Sequence, residues 1–144
     1  MPGIRILSAC DASVLERLAP GVFDRPINPQ WTREFLADPR HHLAVAVDEM
    51  VVVGMASAVH YVNPDKPPEL WINEIGVAAS HRRIGLARRL LEALFERGRT
   101  LGCVQAWVLA DEPNTVARAL YASAGGQAAA KPAIMYEFPL AEPR

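Results

Sequence analysis

Residues 77–91 read Val-Ala-Ala-Ser-His-Arg-Arg-Ile-Gly-Leu-Ala-Arg-Arg-Leu-Leu, a strand end, a tight basic turn containing glycine, and a helix start. The N–H groups of a first helical turn have no partner inside the helix and together carry about half a positive charge. Gly85 and Ala87 keep bulky side chains clear of those groups, so a diphosphate can lie against them. Arg82, Arg83 and Arg88 add charge around the same turn. On residue type alone the stretch fits either an anion site or an exposed basic helix start. Glu74 is the second candidate, a carboxylate inside the otherwise apolar run Trp71–Val77. Burial raises a carboxyl pKa and makes the group a base that works nearer neutral pH. Strict alternation puts Ile72, Glu74 and Gly76 on one face, which fits a cleft or a solvent face. Tyr121 sets a hydroxyl on a later helix, where packing alone is reason enough for it, and Asn114 is a natural cap for that helix.

Elements of both periods are needed to position these groups. Ile4 to Leu7 predicts a short opening strand, and Asp11 or Ser13 a cap for a helix to about Leu18, stopped by Pro20-Gly21. Residues 23–29 form a loop dense in turn formers, and a second helix follows from about Gln30 to Ala37, ended by Asp38-Pro39. Trp31 and Phe35, four residues apart, form a packing stripe on that helix, and the Pro-containing loop before it, with Asp24, could lid a site that meets a cation. Then the period changes to two. His42–Val47, Val51–Val62 and Leu70–Val77 predict three strands with short links, an antiparallel meander, with Gly76 marking a bulge or a close backbone approach. Leu86, Leu90, Leu91, Leu94 and Phe95 recur at helical spacing within a helix from Gly85 to Thr100. Cys103–Leu109 predicts a strand reached by a parallel crossover, Asn114 or Thr115 opens a helix to about Ala124, and Ile134–Phe138 alternates as a closing strand. The expected order is β-α-α-β-β-β-α-β-α-β, one α/β domain over residues 1–144.

Composition narrows the function classes. Hydrophobic residues make up 51% of the 144 and charged residues 22%, enough apolar material for one core and against general disorder. No apolar run approaches the ~20 residues of a bilayer-spanning helix, and the opening residues lack a long apolar signal segment, so a cytoplasmic protein is expected. Cys10 and Cys103 are too few and too far apart for a disulfide framework or zinc site, and His41-His42 has no partners at ligand spacing, so no metal is expected. Fifteen basic residues balance sixteen acidic ones. That near-neutrality, with Glu92 and Glu96 inside the Arg-rich helix, disfavours nucleic acid as a partner. The charge is uneven, however: six of the basic residues stand between Arg82 and Arg99, so one segment can meet anions while much of the rest can meet cations.

Arg82-x-x-Gly85-x-Ala87 resembles the Arg/Gln-x-x-Gly-x-Gly/Ala signature of the GNAT superfamily of acyl-CoA-dependent N-acetyltransferases. Asn114-x-x-Ala117-x-x-x-Tyr121-x-x-x-Gly125 stands one strand later, where that family carries a second block. The resemblance implies a GNAT fold: a mixed, mostly antiparallel sheet splayed in the middle and flanked by about four helices. It implies acetyl-CoA in the gap between the Glu74 strand and the next. Ile75, Gly76 and Val77 would bind the pantetheine arm and polarise the thioester carbonyl. Arg82, Arg83, Ile84, Gly85, Leu86, Ala87 and Arg88 would grip the pyrophosphate, with Asn114 and Tyr121 also touching the cofactor. Glu74 would deprotonate the acceptor amine and Tyr121 protonate the departing thiolate, in direct transfer through a ternary complex. A small-molecule amine is the implied partner, and pairing into a homodimer is common in the superfamily. Gly126 departs from the pattern where an aromatic residue is usual.

Asn63-Pro-Asp-Lys-Pro-Pro-Glu-Leu-Trp-Ile-Asn-Glu74, with His81-Arg82-Arg83 and Ala110-Asp111, is similar to the gentamicin-type aminoglycoside 3-N-acetyltransferases. That resemblance implies a polycationic acceptor held by Asp24, Glu74, Asp111, Glu112 and Glu137. Glu74 stands where those enzymes typically carry Asp, and Glu112-Pro113-Asn114-Thr115 replaces a more acidic run. A polyamine, a peptide amine or another small amine is the alternative acceptor. A non-catalytic acyl-CoA-binding module is the alternative class.

Overall fold

The computed structural model describes residues 1–141. Five strands form one sheet in chain order: β1 (Gly3–Ile6), β2 (His41–Asp48), β3 (Val51–Tyr61), β4 (Glu69–Val77) and β5 (Ala106–Trp107). The first three pairings are antiparallel and the last is parallel. Three α-helices, α1 (Pro29–Ala37), α2 (Leu86–Thr100) and α3 (Thr115–Ser123), are joined by an eight-residue 3-10 helix, Ala9–Glu16.

α2 covers one face of the sheet. Its Leu86, Leu90, Leu91 and Leu94 are all at most 2% exposed, and they rest on small residues that face one another across β2 and β3: Ala44 opposite Ala56, and Ala46 opposite Gly54. A methyl on Gly54 would meet Leu90 Cδ1 at 3.2 Å, which shows how closely the helix lies on the strands. The other face is covered by the 3-10 helix, residues 17–28 and α1. Asn28 caps α1, its side chain accepting from the N–H groups of Gln30 and Trp31 at 2.9 and 3.0 Å, with Pro29 preset at the first helical position. With both faces covered, β2 and β3 are buried almost end to end.

Three expectations need correction. The first helix is a 3-10 helix over Ala9–Glu16 capped by Ser8 and not by Asp11 or Ser13, since the Asp11 carboxylate turns back to accept from the Ser8 N–H (2.8 Å) and hydroxyl (2.9 Å). The strand expected over Cys103–Leu109 shrinks to Ala106–Trp107, since the Cys103 N–H closes the end of α2 on the Gly98 carbonyl. Ile134–Phe138 is no strand: it is exposed and unpaired, with Ile134 and Phe138 each 78% exposed. Alternation fits a residue run to a sheet, but a strand needs an edge to bond, and two-residue β5 offers almost none.

Candidate active site

The site begins with an irregularity in β4. Opposite β3, the register steps from Glu74↔Ser57 to Ile72↔Ala58, leaving Asn73 as an extra residue. Such a bulge re-aims the side chains after it. Ile72 turns into the core, 2% exposed, while Asn73 and Glu74 both line a cleft of about 650 Å³ on the opposite face. The single face expected for Ile72, Glu74 and Gly76 is thereby broken at Ile72.

Asp24, on the loop before α1, stands beside Glu74 in that cleft. Burial holds the Glu74 carboxyl above its ordinary value of 4.5; the Asp24 charge and the hydrogen bond between the two side chains add to it, and the Asp24 N–H opposes. Gly76 is what lets that loop approach, because a Cβ there would collide with the Val22 carbonyl. Of the acidic residues expected around the acceptor, the structure brings together Asp24 and Glu74. Asp111 and Glu112 are exposed on the loop before α3 and Glu137 on the unpaired C-terminal segment, all outside the cleft lining. Asn73 and Ser57 line the cleft without having been expected there. Ser57 was legible as a lone hydroxyl within an apolar strand; Asn73 was not, because a bulge without glycine has no simple sequence mark.

Past the bulge, β4 loses its outer neighbour. β5 pairs only at Leu70↔Ala106 and Trp71↔Trp107, so the edge of β4 from Asn73 to Val77 faces a gap, the splay expected in the sheet. At its end the basic turn folds as its residues suggest. His81 hydrogen-bonds Ser80 Oγ and Asp48 Oδ2, each at 2.7 Å, tying the turn to the end of β2. Arg82 Nε donates to the Val77 carbonyl at 3.2 Å. Arg83 (φ 64°) and Gly85 (φ 82°) take left-handed backbone, and Gly85 opens α2 with open space where a side chain would stand. No side chain caps α2 and no acid stands in its first turn. An uncapped helix start ringed by Arg82, Arg83 and Arg88, next to an unpaired strand edge, fits a long ligand with a pyrophosphate. Arg88 also pairs with Glu92 at 3.1 Å. Within the turn Leu86 is a core anchor, 2% exposed, whereas Ile84 is 45% exposed.

Tyr121 is half-buried on α3, and burial pushes its hydroxyl above the ordinary value. It lines a small cavity of about 70 Å³ with Ile72, Leu91, Trp107 and Val108, so Tyr121 and Glu74 line separate cavities. Asn114 caps α3, its side chain accepting from the Ala117 N–H at 3.0 Å. Among the described residues no cluster of three His, Cys, Asp or Glu could hold a metal ion, and no helix is long and apolar enough to cross a membrane.

A mixed sheet splayed beside a bulged strand, ending in a basic helix start, defines an acyl-CoA-dependent acyltransferase architecture. The chain belongs to the acetyltransferase (GNAT) family, whose sequence profile matches residues 12–125. It is an acyl-CoA-dependent N-acetyltransferase that uses acetyl-CoA. No curated protein sequence matches it. Among solved structures, the fold is similar to that of aminoglycoside acetyltransferase HMB0005 from an uncultured soil metagenomic sample, at 22% identity, 98% of this chain, 99% of that one and a TM-score of 0.84. It is similar to AAC(6')-Iy bound to the bisubstrate analogue CoA-S-monomethyl-acetylneamine, at 21%, 96%, 99% and 0.79. It is also similar to the ribosomal-protein-alanine N-acetyltransferase of Brucella melitensis biovar Abortus 2308, at 20%, 96%, 100% and 0.73. At these identities the likeness is one of fold.

Proposed function

We propose that this chain acetylates a primary amine seated in the Asp24–Glu74 cleft, with Glu74 as general base. The carrying observation is the bulge at Asn73: one strand turns a half-buried carboxylate into a cleft and, over the same stretch to Val77, offers an unpaired edge leading to a cationic helix start. When bound, acetyl-CoA supplies an acyl carbon activated as a thioester. Ile75, Gly76 and Val77 would bind its pantetheine arm, and an N–H on the unpaired edge of this stretch would steady the carbonyl oxygen. The N–H groups of residues 84–87, with Arg82, Arg83 and Arg88, would hold the pyrophosphate, and Asn114 would contact the same ligand. Glu74 takes the proton that an ammonium must lose before its nitrogen can attack. Tyr121, at the outer side of the splayed sheet, supplies a proton to the sulfur.

A second reading of the acceptor is an aminoglycoside acetylated at its 3-amino group. It is favoured by the Asn63–Glu74 stretch and by the paired carboxylates of Asp24 and Glu74, with Asp111, Glu112 and Glu137 serving only if the polycation extends beyond the cleft. The fold neighbours divide on this point, since they include an AAC(6') enzyme and an alanine acetyltransferase. The test is acetyl-CoA-dependent thiol release with gentamicin- and kanamycin-type aminoglycosides, polyamines, short peptides and simple amines. Saturable turnover is expected, and Glu74→Gln is expected to lower kcat by about 10²–10⁴. Full activity of Glu74→Gln would remove Glu74 as the base.

A further inference from the structure

The walls of the Glu74 cleft bear on what it accepts. Phe23 and Ile27 from the loop, Trp31 and Phe35 from α1, and Leu43 from β2 make most of its surface apolar. Its two carboxylates, Asp24 and Glu74, stand together at one point, and the basic residue lining the cleft is Arg25, next to Asp24 in the chain. A rigid polycation spreads its ammonium groups over many ångströms and needs acids spread to match. Among the described residues no further carboxylate lines the cleft: a second or third ammonium would meet the aromatic wall, the neutral Asn28, Thr32, Ser57 and Asn73, or the Arg25 guanidinium, and a charge desolvated without an anionic partner is unfavourable. The size of the cleft, about 650 Å³, suits a small molecule. At its lining Trp31 is 70% exposed, an aromatic surface that none of the described residues covers.

We infer that the acceptor is a primary amine with a single positive charge and an aromatic or bulky apolar body. Its ammonium sits at Asp24–Glu74 and its body lies against Phe23, Trp31 and Phe35. This rests on the acetyl-transfer reading above. In the reaction the C–N amide bond forms as the C–S thioester bond breaks. Of the two protons the ammonium gives up, one leaves through Glu74 to solvent and the other ends on the sulfur as free thiol. The aromatic residues make no bond; they set which amine dwells long enough to react.

The test compares kcat/KM for 2-phenylethylamine, n-propylamine, putrescine and kanamycin, with coenzyme A binding followed by calorimetry. 2-Phenylethylamine is expected to exceed each of the others at least about tenfold, equal to about 1.4 kcal/mol. In Trp31→Ala the ratio of kcat/KM for 2-phenylethylamine to that for n-propylamine is expected to fall at least about fivefold, and Trp31→Phe to restore most of it. Trp31 is exposed enough that neither change disturbs the core. Kanamycin or putrescine equalling the arylalkylamine, or an unchanged ratio in Trp31→Ala, would overturn this inference while leaving acetyl transfer standing. Tight coenzyme A binding with none of these amines acetylated would overturn the proposed seating of a small primary amine at Glu74, and this inference with it.

Discussion

Glu74 and Asp24 form a carboxylate pair in which burial and like charge act in the same direction on Glu74. A base must be ionised to accept a proton. Activity therefore falls as pH drops through the Glu74 pKa, which lies above the ordinary 4.5. The acid limb of a kcat/KM–pH profile is expected to move to lower pH in Asp24→Asn, because that change removes the neighbouring charge. An acid limb that stays in place would separate Asp24 from Glu74. Tyr121 is a different case: its hydroxyl is half-buried and held protonated, as a proton donor must be, but it lines a cavity separate from Glu74. Tyr121→Phe is expected to lower kcat at least tenfold with little change in coenzyme A affinity, checked by steady-state kinetics beside calorimetry. Equal turnover would leave Tyr121 a packing residue of α3.

Two glycines do different work in the elements around the site. Gly76 is required by space, since the Val22 carbonyl occupies the position of a Cβ, and through that contact the 22–28 loop, with Asp24, is set against β4. Gly76→Ala is expected to cost about 2–3 kcal/mol of stability and to disturb the acceptor side more than coenzyme A binding. Urea unfolding with calorimetry checks this, and an unchanged midpoint would mean that the loop yields freely. Gly85 is required by backbone conformation instead, with φ 82° and no atom near its missing Cβ. The elements themselves were largely legible. Period-two runs gave β2, β3 and β4, the leucine spacing gave α2, and Asn28 and Asn114 cap α1 and α3. What failed was what a neighbour decides. Asp11 turned back to Ser8, which became the cap in its place, and Ile134–Phe138 found no edge to bond.

Across the whole molecule, the two sheet faces have different electrostatic character. Beneath α2, His42 Nε2 and His60 Nδ1 share a hydrogen bond at 2.8 Å, and His42 is 3% exposed. Burial, with His60, Arg97 and His41 adding to it, lowers the His42 pKa from 6.5 to about 4. The unfolded chain takes up that proton near 6.5 and the folded one resists until about 4. Stability from neutral His42 is thus complete above 6.5 and is lost as pH falls towards 4, on the order of 3 kcal/mol. Urea midpoints between pH 7.5 and 4.5 are expected to fall less steeply in His42→Leu than in the parent, and equal slopes would discharge His42 as the source. Period and local residue order by themselves were enough for the α/β succession of elements, for the basic helix start and for the resemblance to its family, because strand and helix periods and a glycine-containing turn are written in local residue order. Only the tertiary structure decided that Asn73 bulges, that Asp24 rather than Asp111, Glu112 or Glu137 stands beside Glu74, and that the cleft is walled by Phe23, Trp31 and Phe35. Those outcomes depend on register between strands and on a loop seated against a glycine, contacts between residues distant in the chain that no local pattern records.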